Sequence, residues 1–145
     1  MINDNLTFYS YIGEVIMFCQ KVEHDVKLLS AGVSPHGYKV AKAILDDDKL
    51  SLGQAIKTLQ DFDALRDHPY FSREDYNALW EVNKIRNYYA HQCFQDLLYL
   101  PNEEERKGKL REVADKLEQH HLMLKSLSDK IERERIKFFK SEIKL

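Results

Sequence analysis

From Glu103 to Lys140 the chain runs without a proline and with a single glycine, Gly108. Along it, Leu110, Val113, Leu117, His121, Leu124, Leu127 with Ser128, Ile131 and Phe138 recur at nearly heptad spacing. Apolar residues three and four apart share one face of an α-helix, so the stretch predicts one long helix. Such a helix is stable only if a comparably long apolar face lies against it. Its length suggests that its last two turns overhang the bundle or pack on a partner chain.

A suitable partner stands at the other end of the sequence. Phe8, Tyr11, Ile12, Val15, Cys19, Val22, Val26 and Leu29 predict a first helix over Asn5–Ser30 with one wide apolar stripe. Ala31–Gly37 supplies a loop, and a short helix follows over Tyr38–Leu45. It ends in the acidic run Asp46-Asp47-Asp48, which reads as a solvated turn rather than a cation site. Ser51 is placed to cap a third helix over Leu52–Leu65, with Leu52, Ala55, Ile56 and Leu59 facing inward. After the break at His68-Pro69, Ser72 and Asp75 have the spacing of a capping box. They open a fourth helix that ends near Leu98, before Pro101. No segment has strand alternation. Helices joined by short loops are antiparallel neighbours, so residues 1–145 are expected to form a single all-α domain. The expected fold is an up-and-down bundle of four to five helices with a long C-terminal helix.

Hydrophobic residues make up 43% of the chain and charged residues 32%, with a net charge of −2. No global basic footprint advertises nucleic acid, so any RNA contact has to be local. No basic segment followed by an apolar run opens the sequence, and no apolar run is long enough to span a bilayer, so a cytoplasmic protein without membrane attachment is expected. Cys19 and Cys93 sit in apolar helical patterns and read as buried thiols.

The fourth helix carries the most informative hexapeptide, Arg86-Asn87-Tyr88-Tyr89-Ala90-His91. Projected at about 100° per residue, Tyr76, Leu79, Trp80, Val82, Ala90, Cys93, Phe94 and Leu97 share one arc. Asn83, Arg86 and Asn87 fall inside that arc and His91 at its edge. A guanidinium on a buried face needs partners or it is strongly destabilising. Histidine moves protons near neutral pH, arginine matches phosphate oxygens, and asparagine can orient an imidazole or donate to an oxyanion. Together they are a minimal set for cleaving an RNA phosphodiester by attack of its 2′-hydroxyl, without a metal or cofactor. On a straight helix, however, Arg86 and His91 are separated by about 140° in azimuth and about 7.5 Å in rise. Ile85, Tyr88 and Tyr89 lie off the arc and leave a surplus apolar face. Both features predict a composite site completed by a second copy of the chain.

The hexapeptide resembles the R-x4-H signature, often R-N-x-x-x-H, of the HEPN superfamily of small helical bundles. Leu52-Gly53-Gln54-Ala55-Ile56-Lys57-Thr58-Leu59 is similar to a segment that precedes the motif helix in such proteins, and the resemblance covers roughly Leu52–Leu98. It implies a homodimer through the motif helix, with two motifs facing a shared cleft. In many members that cleft is a metal-independent ribonuclease of toxin–antitoxin, phage-defence or RNA-processing systems. By that match Arg86 and His91 are catalytic and Asn87 supports them, with RNA as substrate and an antitoxin or other protein as a further partner. Toxins of the family paired with nucleotidyltransferase antitoxins often carry a tyrosine two residues after the histidine, where this chain has Cys93. The segment is also similar to that of mannitol-operon-repressor-like chains, which implies instead a non-catalytic interaction or regulatory module.

Purely structural roles for the trio stand beside these. Arg86 can pair with a carboxylate of another helix, His91 can be a satisfied interior histidine, and Asn87 can bond a loop backbone. His24 and His68 read as surface and loop residues. His120 and His121 are adjacent and point about 100° apart, which is poor spacing for a metal. Lys137, Lys140 and Lys144 with Phe138 and Phe139 read as a solvated amphipathic helix end, with RNA or partner contact as the alternative.

Overall fold

The computed structural model describes residues 2–142, which form α1 (Asn5–Val33), α2 (Tyr38–Asp46), α3 (Leu52–Ala64), α4 (Arg73–Asn87), a wide helical turn (Tyr88–Gln92), α5 (Cys93–Leu98) and α6 (Glu103–Glu142). No strand occurs among the described residues, and the long C-terminal helix is present. No helix among them is long and apolar enough to cross a membrane.

Local chemistry sets the helix starts. The Asp4 carboxylate accepts from the Thr7 backbone N–H, and complete capping boxes, Ser51 with Gln54 and Ser72 with Asp75, open α3 and α4. These side chains satisfy backbone donors that the first turn leaves unpaired. Asp46, Asp47 and Asp48 are exposed, and Asp47 accepts from the Lys49 N–H, so the acidic run is a solvated turn.

Cross-helix pairs fix the directions. Ser30 of α1 donates to the Ala55 carbonyl and His36 meets the Phe62 ring, so α3 runs with α1. Asp63 bonds Tyr76 while Gly53 abuts Asn83, so α4 runs against α3. Tyr89 pairs with His120 and Asp75 with Lys130, so α6 runs against α4. Glu14–His121 and Asp25–Arg135 then place α6 alongside α1, in parallel. Successive helices therefore alternate up and down, and α1 touches every other rod of the bundle.

The parallel α1–α6 pair corrects the expected overhang. Because both helices point the same way in nearly constant register, their C-terminal ends coincide. Phe138 is 1% exposed, seated where a Cβ on Gly32 would lie 2.8 Å from its ring. Residues 101–108, at the opposite end of α6, are the exposed ones. α1 also continues one turn past Ser30, because Val33 extends its buried stripe.

Candidate functional site

The buried positions of α4 are Tyr76, Leu79, Val82 and Ile85, three residues apart, and the stripe then continues through Tyr89 and Cys93, four apart. Each step of three falls about 60° short of a full turn, so the core-facing side winds around α4. A projection at fixed phase cannot follow that drift. Ile85 and Tyr89, expected off the apolar arc, are each 3% exposed, whereas Ala90 and Asn87, expected on it, are exposed, and Phe94 is 45% exposed. Ile85 and Tyr89 are thus buried by this chain's own core, and they leave no surplus apolar face for a second copy to cover.

At residues 88–92 the helix widens, and the Cys93 N–H donates to the Tyr88 carbonyl five residues back. One turn absorbs an extra residue, as in the π-bulges found within α-helices. Positions five apart are rotated toward each other in such a turn, as positions four apart are in an α-helix. The straight-helix separation of Arg86 and His91 therefore does not hold here, and the two are brought closer in azimuth within one chain.

Tyr89 anchors this turn. Its hydroxyl lies 2.7 Å from His120 Nδ1 on α6, with the rings edge to face. Burial raises the Tyr89 phenol far above its ordinary range and lowers His120. A neutral imidazole accepting at Nδ1 from the phenolic O–H fits both shifts. His121 points away to Glu14, so the two histidines serve separate contacts.

Arg86 is half-buried, and Asn87 and His91 are exposed. Among the described residues no side-chain hydrogen bond or ion pair is made by any of the three. The purely structural roles weighed from the sequence therefore do not describe them. Arg86 lies near Cys19, whose thiol is pushed up to about 11 by burial, against the opposing charge of Arg86. Cys93 is likewise raised to about 11 by burial, and both thiols are inert core groups.

Elsewhere His24 and His68 are exposed as expected. Phe138 belongs to the core rather than to a basic surface, Lys137 and Lys140 are exposed, and Lys144 lies outside the described residues. Sequence reasoning missed Asp63, which is fully buried and accepts from the Tyr70 and Phe71 N–H groups and the Tyr76 hydroxyl. A signal existed: residue 63 follows Leu59 by four on the apolar stripe of α3. It also missed the ion pair of buried Asp25 with Arg135.

Fold and site together define an all-α bundle with an unpartnered cation, amide and imidazole on a widened helical turn. No protein-family model matches the chain, and neither does any curated protein or solved structure.

Proposed function

We propose that the chain is a metal-independent endoribonuclease of the HEPN type, toxin or phage-defence-like, working in the cytoplasm as a homodimer. The observation that supports this is the wide turn at 88–92, which reduces the angle separating Arg86 from His91 around the helix, with both side chains left without partners among the described residues. A helix interrupted in this way is often a functional one.

In the reaction, His91 takes the proton of a ribose 2′-hydroxyl as its oxygen bonds to phosphorus. The P–O5′ bond breaks, the leaving 5′-oxygen takes a proton from water, and a 2′,3′-cyclic phosphate remains while His91 returns its proton to solvent. Arg86 stabilises the charge that builds on the non-bridging oxygens, and Asn87 donates to them or orients the imidazole. No group among the described residues fixes the His91 ring, which favours a site completed by a second copy; an antitoxin or other protein is a further partner.

The test is incubation of purified protein with RNA, with product ends analysed for cyclic phosphate. Arg86→Ala and His91→Ala should each lower cleavage by about a hundredfold or more, with the melting temperature unchanged. Wild-type protein inert toward every RNA tested would sink the proposal. The same lack of an orienting group for His91 is what a non-catalytic, mannitol-operon-repressor-like interaction module would show. In that case alanine at Arg86 or His91 weakens partner binding and no RNA is cut.

A further inference from the structure

Beside the wide turn lie two aromatic rings that the core does not use. Tyr9 of α1 and Phe94 of α5 have centroids 6.4 Å apart at an interplanar angle of 28°, and they are 56% and 45% exposed. Tyr9 is backed edge-on by buried Phe8, and Phe94 follows Cys93, which is locked in the core. The two rings lie side by side at the surface, each partly open to solvent.

The antiparallel register that joins Tyr9 to Phe94, and Cys19 to the neighbourhood of Arg86, sets Gly13 opposite Ala90. Both are exposed. Gly13 stands in the middle of a helix of 29 residues, where glycine is a poorer choice than alanine. Yet among the described residues nothing outside its own stretch of helix lies within 4 Å of the Cβ position it leaves empty. Packing inside this chain does not call for a glycine there, whereas close approach of something from outside would. Along this surface the two rings stand at one end, Ala90 and the adjacent His91 in the middle and Arg86 at the other.

We propose that the Tyr9–Phe94 pair is a base-stacking platform for single-stranded RNA, whose backbone runs from the rings past Gly13 and Ala90 and so brings a phosphate to His91 and Arg86. Every base has a π face, so this contact selects unpaired strands over duplex and tolerates sequence. The proposal rests on Arg86 and His91 being an RNA-facing site, and it goes further in assigning the substrate class and the groups that hold it.

The test is fluorescence anisotropy with the full chain and a labelled single-stranded RNA decamer carrying 2′-O-methyl groups, which cannot be cleaved. A decamer of the same backbone without bases and a duplex serve as competitors. Tyr9→Ala and Phe94→Ala should each weaken binding of the decamer about tenfold, Phe94→Tyr should restore it, and the strand without bases should bind all variants equally weakly. Gly13→Ala should raise Tm by about 3 °C and yet weaken the decamer severalfold, opposite signs that a purely structural glycine would not give. Unchanged affinity in both alanine variants, a wild type that does not bind, or a loss that sedimentation traces to splitting of a dimer each overturn the platform. Stacking-dependent binding without cleavage of unmodified RNA leaves the platform standing and removes the ribonuclease. Cleavage with an unaltered KM in Phe94→Ala does the reverse.

Discussion

Replacing Asp63 with alanine should be among the most damaging single changes outside the apolar core. Its carboxylate accepts from the Tyr70 N–H at 2.8 Å, the Phe71 N–H at 3.0 Å and the Tyr76 hydroxyl at 2.6 Å, and so ties the loop between α3 and α4 to both helices. Phe71 and Tyr76 are each 7% exposed, so water reaches their donors poorly once the acceptor is gone, while Tyr70 is only half-buried and can turn to solvent. Two stranded buried donors at about 1–3 kcal/mol each, and a smaller loss at Tyr70, give a destabilisation of about 4 kcal/mol. For a chain of this size that lowers Tm by about 12 °C. Asp63→Asn keeps the shape and one acceptor oxygen, so it should cost about half as much. Tyr76→Phe should cost about 1 kcal/mol in the wild type and almost nothing in the Asp63→Ala background, because its hydroxyl has then already lost its acceptor. The assay is urea unfolding followed by far-UV circular dichroism, with constant m-values as the check on two-state behaviour. A loss under about 1 kcal/mol for Asp63→Ala, or Asn behaving like Ala, would refute the view that three directed bonds, rather than the space the side chain fills, fix this loop.

Two further outcomes concern charge. Burial lowers His120 below its ordinary 6.5, so the unfolded chain binds this proton more readily than the folded one. The stability tied to the neutral ring is therefore complete above pH 6.5 and declines as pH falls through that value toward the lowered one. His120→Gln should flatten this part of the pH–stability profile in thermal melts, and an unchanged slope would count against a buried, neutral His120. Arg135→Ala should destabilise by about 3 kcal/mol, since Asp25 is 1% exposed and its second oxygen already lacks a partner. Replacing both residues with apolar ones of similar size should recover most of the loss in the same urea assay.

The helix positions were legible because they depend on local signals. The capping boxes at Ser51 and Ser72 and the apolar stripe of α1 have the same meaning in the sequence as in the fold. The inside and outside of the motif helix were not legible, because a phase drift and an inserted residue each move side chains by a large fraction of a turn. Ala90 and Asn87 thus changed from expected core to surface, and Ile85 and Tyr89 from expected surplus to core. Arg86, Asn87 and His91 were singled out by residue type and spacing. Their lack of partners could be seen only once the neighbouring helices were in place.

By itself, then, the sequence determined five helical rods, the capped starts of α3 and α4, and their alternating order. Hydrophobic period, turn residues and caps act over a few residues and so survive in one dimension. Tertiary structure alone decided that α6 runs parallel to α1, that Asp25 is a buried acceptor, and that the helix widens at Tyr88–Gln92. Those outcomes depend on which helices meet and at what height, a competition among long-range contacts that no local pattern encodes.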